Sequence, residues 1–166
     1  MDEYQRGLIE LLPRLRRLAR AFAGNPADAD DLVQISVERA LARRDQWRDG
    51  TRLDSWVFRI MKNAWIDETR GRRRSGRIFV ADDEGRDVAD RTTPAMETRL
   101  AAIEAERALL ALPQDQRLAV ALVLVDGLSY REAADVLDVP MGTLTSRLVR
   151  GRTALMEKLG GPGATP

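Results

Sequence analysis

Thr143, Thr145, Ser146, Arg147 and Arg150 crowd one short stretch of the C-terminal segment SYREAADVLDVPMGTLTSRLVRGR, and each can hydrogen-bond to a nucleic acid. Hydroxyls reach base edges, and a guanidinium grips a guanine edge or a phosphate through two parallel bonds. A good bidentate base contact discriminates by about 1–3 kcal/mol, while the remaining cations position a duplex through its phosphates. The same residues also suit the solvated basic face of two packed helices. A second group, around FRIMKNAWIDETRGRRR, interleaves Trp56, Phe58 and Trp65 with Arg59, Lys62, Asn63, Arg70 and a terminal run, Arg72 to Arg74. Rings that stack bases beside cations that track a backbone suit single-stranded nucleic acid. The competing reading places those rings in a core and makes the Arg run a helix end, favourable against the C-terminal dipole. A third group, DADDLVQISVERAL, sets Asp28, Asp30 and Asp31 ahead of an amphipathic stretch. Carboxylates at a helix start are favourable by themselves, and a protein-docking face is the functional alternative. EF-hand spacing and its closing Glu are missing, so no metal is expected there.

Composition narrows the chemistry. The 166 residues are 44% apolar and 32% charged, globular in character and enough for one ordinary domain or two small ones. Cysteine and histidine are both absent, which removes disulfides, thiolate and imidazole metal sites, Cys nucleophiles and the commonest general base. There is no Walker loop or nucleophile elbow, and GGPG in the tail is not followed by Lys-Ser/Thr. A non-enzymatic protein without a cofactor is the expectation. No uninterrupted apolar run approaches a membrane span, and the N-terminus lacks a signal-peptide pattern. The expected location is the cytoplasm, with no membrane insertion. The net charge of +1 conceals local concentration: residues 59 to 77 carry seven cations against two anions.

These groups need elements to hold them. Helical periodicity dominates, and no segment alternates apolar and polar residues long enough for a sheet, so the fold class is all-α. A first helix is predicted over 4–23, interrupted or bent near Pro13 and stopped by Gly24-Asn25-Pro26. A second, capped by Asp28 or Asp30, reaches about Arg44, and a loop spans Asp45 to Thr51. A third runs from near Asp54 to about Arg74, with Leu53, Val57, Ile60 and Ala64 as its buried stripe and Arg59, Lys62, Asn63 and Arg70 on another face. Residues 75–95 lose the period and read as a linker. Helices follow near 96–111 and 114–125. Ser129 and Glu132 form a capping box opening a helix through Leu137, and Pro140 suits the first turn of the last helix, which reaches about Leu159. The last two helices have a helix-turn-helix layout, with small Ala134 where they touch and the exposed N-terminal half of the second free to enter a major groove.

In this order, the three segments resemble the sigma-70 family, specifically its minimal extracytoplasmic-function type, which retains the second and fourth conserved regions. DADDLVQ is similar to the family's polymerase-docking motif. TRLDSWVFRIMKNAWIDETRGRRR is similar to the segment that melts and reads the −10 element, and LPQDQRLAVALVLVDGLSYREAADVLDVPMGTLTSRLVRGR to the −35-reading domain. The resemblance implies two small helical domains joined by a flexible linker: residues 1–75 as region 2, 76–95 as the linker, 96–160 as region 4, and 161–166 as a disordered tail. It implies that Asp31, Leu32 and Gln34 contact the clamp helices of the largest polymerase subunit. Arg59, Lys62, Asn63 and Arg70 then lie where melted −10 DNA is held, and the loop Asp45 to Thr51 where a flipped base is captured. Thr143, Thr145, Ser146, Arg147 and Arg150 fall on the −35 recognition helix.

The sequence departs from the family pattern at three places. Ile35 replaces the acidic residue usual after the docking Gln, Thr145 stands where Lys or Arg is common, and Gly151 stands where Ala is common. Glycine inside a helix costs about 1 kcal/mol relative to alanine. The implied partners are core RNA polymerase, promoter DNA and an anti-sigma protein covering the polymerase-binding faces. Two weakly cored units also predict interdomain mobility in the free protein. The alternative is a helix-turn-helix regulator acting on duplex DNA without polymerase docking, which leaves DADDLVQ and the aromatic-basic helix without a role.

Overall fold

The computed structural model describes residues 1–76 and 94–160. The expected flexible linker and disordered tail lie, but for the ends of the linker, outside those residues. Every regular element among them is helical: α1 (Glu3–Ala23), α2 (Pro26–Ala42), α3 (Leu53–Arg74), α4 (Pro94–Leu110), α5 (Gln114–Val120), α6 (Tyr130–Leu137) and α7 (Met141–Lys158).

Local chemistry sets most of the boundaries. Asp2 caps α1 reciprocally with Gln5, and α1 continues through Pro13 without a break in the helix. Pro13 is on the exposed side, where the carbonyl its ring cannot satisfy is open to water. The second helix is capped by Asn25, not by Asp28 or Asp30 as predicted: the Asn25 side chain accepts from the Asp28 amide, and Pro26 occupies the first turn. Proline there gives up only an N–H that had no helical partner. Asp28 is thereby released for a different contact. The Ser129–Glu132 box opens α6 as predicted, and Asp138, in the left-handed region at φ 55°, ψ 51°, makes the turn into α7. Its short polar side chain is among the few that tolerate that conformation.

Helices α1 to α3 pack around Leu15, Leu18, Phe22, Val57, Phe58, Met61 and Trp65, all fully or almost fully buried. Helices α5 to α7 pack around Val120, Leu122, Val136, Leu144 and Leu148. These two groups of side chains belong to one contiguous apolar cluster. The joint is made by α3 against α6 and by α1 against α4, α5 and the wide turn Ala121–Val125. That turn has i→i+5 bonding, with the Asp126 amide donating to the Ala121 carbonyl at 3.0 Å. The extra residue it accommodates brings the Asp126 carboxylate onto Arg14 of α1. Gly24, at φ 86°, ends α1 where Leu110 of α4 closes in: a Cβ there would lie 2.5 Å from a Leu110 methyl.

Gly151 has a packing reason as well. It is buried in α7, and a Cβ on it would stand 2.6 Å from Cγ2 of Val120 in α5. Val120 is 1% exposed and stiff at χ1, so it cannot swing aside. Overpacking costs about 1–3 kcal/mol and exceeds the roughly 1 kcal/mol that alanine recovers in helix propensity. Gly151→Ala is therefore expected to lower stability by about 1 kcal/mol, and Val120→Ala in the same chain to relieve the clash. Urea melts of the two single variants and the double variant check this. Additive losses would show that the α5–α7 approach does not require glycine.

Candidate nucleic-acid interface

The helix predicted to carry the duplex-contacting residues is α7, entered from Pro140. Leu144 and Leu148 point into the core and fix the rotation of the helix, which leaves its first turns open. Thr143, Ser146, Arg147 and Arg150 line one shallow cleft with Gly142 and Asp115. Thr145 lies outside that cleft, exposed, with its hydroxyl donating back to the Met141 carbonyl at 2.9 Å. Asp115, near the start of α5, places a carboxylate 3.7 Å from Nε of Arg147. No sequence signal marked Asp115, because the two residues meet only through the α5–α7 packing.

On α3 the aromatic alternatives separate. Phe58 and Trp65 are core residues, and Trp56 is half-buried at an edge contact with Tyr4, centroids 6.2 Å apart. Neither Phe58 nor Trp65 is a stacking platform. Asn63 and Arg70 are exposed as predicted, but Lys62 is 7% exposed. Lys62 lies on a different face of α3 from the buried stripe, and packing of α6 against α3 buries it. Burial, and next the charge of Arg59, hold the Lys62 ammonium below the ordinary lysine range, with Asp138 opposing them. Arg59 donates from Nη2 to the Asp135 carbonyl at 2.6 Å. In the loop Asp45 to Thr51, Trp47 packs on Tyr4 with centroids 5.3 Å apart, while Arg48 and Asp49 stay in solvent.

The α2 face is a ridge between two grooves. Gln34 and Glu38 line both, joined by a 3.1 Å bond from Nε2 of Gln34 to Oε1 of Glu38. The groove toward α3 has Asp31 and Ile35 on its wall and Leu32, only 4% exposed, in its floor. Leu32 thus shapes the face from beneath instead of standing out from it, because Leu32 and Ala29 form the buried stripe of α2. Asp28 closes one end of this groove with a bidentate pair to Arg72, at 2.6 and 2.8 Å. The Arg72 guanidinium keeps the Asp28 carboxyl below its ordinary range, against the effect of burial. One member of the basic run at the end of α3 is therefore a strut between α2 and α3, a role that its neighbours in sequence do not reveal.

The Sigma-70 region 2 family matches residues 8–75, and the Sigma-70, region 4 family matches residues 102–155. The ECF RNA polymerase sigma factor EcfG of Rhodopseudomonas palustris (strain TIE-1) is 37% identical over 164 residues, covering 98% of this chain and 88% of that protein. The chain belongs to the ECF sigma factors of the sigma-70 family. ECF sigma factor SigM of Mycobacterium tuberculosis (strain H37Rv) is also 37% identical, over 89% of this chain and 72% of its own. The fold of this sigma factor is similar to that of RpoE from Bartonella quintana, solved with the anti-sigma factor NepR, at a TM-score of 0.79 and 28% identity over 96% of this chain and 98% of that one. Among the described residues, no helix of the sigma factor is long and apolar enough to cross a membrane.

Proposed function

We propose that this sigma factor docks on core RNA polymerase through the α2 ridge, holds melted −10 DNA on α3, and grips the −35 duplex through the start of α7. Residues 1–75 then form the docking and melting unit, residues 96–160 the duplex-reading unit, and residues 76–95 set their separation. The observation that carries the reading is the cleft at the N-terminal half of α7. It gathers two hydroxyls and two guanidiniums on a helix end that a major groove admits. The factor acts by binding and positioning, without a reaction of its own, in the cytoplasm where polymerase works. Holding a flipped base offsets unstacking that costs a few kcal/mol, so melting needs no nucleotide hydrolysis by the factor. An anti-sigma protein is the expected regulator, in keeping with the NepR-bound relative.

Run-off transcription with purified bacterial core polymerase and a library of linear promoter fragments tests the reading. Specific transcripts that depend on the protein are expected. If the protein neither binds core polymerase nor starts a transcript on any fragment, the duplex-binding regulator takes its place. The division of labour has its own check. Gln34 is exposed at the crest of the ridge, so Gln34→Ala is expected to weaken polymerase association about fivefold or more, roughly 1 kcal/mol, as a central interface residue does. Duplex binding at the −35 element stays unchanged. Equal losses in both assays would show that the two faces are not separate.

A further inference from the structure

The two units are joined by a chain of charges, not only by apolar contact. Arg14 of α1 pairs with Asp126 through both Nε (3.2 Å) and Nη2 (2.8 Å), and with Asp54 of α3 at 3.1 Å. Arg52 binds the same Asp54 at 2.6 Å and reaches across to Glu132 of α6. The Asp126 side chain is 2% exposed, and the Arg14 guanidinium also sits 5.0 Å over the ring of Phe58. A carboxylate this deeply buried depends on its cation, because the alternative is an uncompensated charge out of water.

What this joint covers is one part of the cationic face of α3: Lys62 is buried and Arg59 is engaged, while Asn63 and Arg70 stay in solvent. The last turn of α6 supplies the Asp135 carbonyl to Arg59, and the charge of Asp138 in the following turn acts on the Lys62 ammonium. The end of a helix carries partial negative charge on its free carbonyls. So an anionic surface of the C-terminal unit occupies the place on α3 where a phosphate backbone would lie. We infer that the closed arrangement is a self-masking state, in which the acidic end of α6 stands in for melted DNA on α3 and the Arg14–Asp126 pair is its latch. This rests on the reading of α3 as the −10 face. DNA engages α3 only in the fraction of molecules that are open, so the apparent dissociation constant is the intrinsic one divided by that fraction. The covalent connection from Gly76 to Pro94, at no more than about 3.3–3.6 Å per residue, is long enough for the units to part by several tens of ångströms.

Because the chain has no native cysteine, spin labels can be placed at Glu10→Cys on α1 and Glu157→Cys on α7, both exposed. Double electron–electron resonance should give one narrow distance in the otherwise native protein. Arg14→Gln, and separately Asp126→Asn, should broaden it toward longer distances while circular dichroism remains helical. Arg14→Gln should also bind a short, mixed-sequence single-stranded DNA about fivefold more tightly, the change expected if the open fraction rises by that factor. Simple charge counting predicts the opposite sign, since the variant has lost a cation. Adding Lys62→Ala to the opened variant should abolish the gain. An unchanged, narrow distance in both latch variants overturns the proposal. Opening without a gain in DNA affinity leaves the latch standing but overturns the masking, together with the −10 reading of α3 beneath it.

Discussion

Phe58→Ala is expected to cost about 3–5 kcal/mol, the range for emptying a fully buried aromatic site. Phe58 is 0% exposed in α3, and it holds two structures at once. Its ring fills the core of the α1–α3 unit, and its face receives the Arg14 guanidinium at 5.0 Å. Truncation therefore leaves a cavity and also removes the cation–π contact that steadies Arg14 against Asp126 and Asp54. Against a total stability of roughly 5–15 kcal/mol for a natural protein, this is a large fraction. The melting temperature should fall by about 6–20 °C at this chain length. Thermal and urea denaturation followed by circular dichroism check it, with Ile9→Ala as the control: Ile9 is 51% exposed on α1, and its loss should change stability by less than about 0.5 kcal/mol. A loss of 1 kcal/mol or less at Phe58 would mean that α3 does not organise the core as described.

Arg150→Ala is expected to lower affinity for a −35 duplex by about tenfold to a hundredfold, or 1–3 kcal/mol. Arg150 is exposed and lines the α7 cleft with Thr143, Ser146 and Arg147, on a helix whose rotation Leu144 and Leu148 fix from below. Because nothing in the core depends on its side chain, the loss should come without a change in melting temperature. The form of the loss identifies the contact. A uniform weakening across sequences, with the salt slope reduced by about one, marks a phosphate contact; relaxed discrimination at one base pair marks a base contact. Arg152→Ala, exposed on the same helix but outside the cleft, should lose less. If the two variants lose equally, α7 binds DNA as an undifferentiated basic surface and the cleft has no special part.

The extent to which these features were legible follows from the range of the forces involved. Interactions within one turn of chain could be read directly. The Ser129–Glu132 box and the stop at Gly24-Asn25-Pro26 appear where the local pattern places them; Val57, Ile60 and Ala64 of the predicted stripe are buried while Leu53 at its start is only partly so, and Pro140 caps α7 from one residue before its first turn. The acidic residues do not cap α2, because the Asn25 side chain accepts from the Asp28 amide at that end and the Asp28 carboxylate pairs with Arg72, remote in sequence. The helix-turn-helix was readable because its spacing is fixed by backbone geometry over a few residues, whereas Asp115 beside Arg147 was not.

The amino-acid sequence by itself determined the all-α class, most helix ends, the two-part organisation and which cations share a helix face, since each depends on periodicity, capping and residue type along one stretch of chain. Only the tertiary structure decided which of those cations are free. Lys62 and Arg59 lie on one face of α3 in any helix, but whether that face meets water or the end of α6 depends on how two separately amphipathic units dock. Arg14, Asp54 and Asp126 are ordinary surface-type residues in sequence, and they become a half-buried joint because the wide turn after α5 carries a carboxylate to a helix more than a hundred positions earlier in the chain. Charge pairing over that separation leaves no periodic trace: it is set by the distance between atoms after folding.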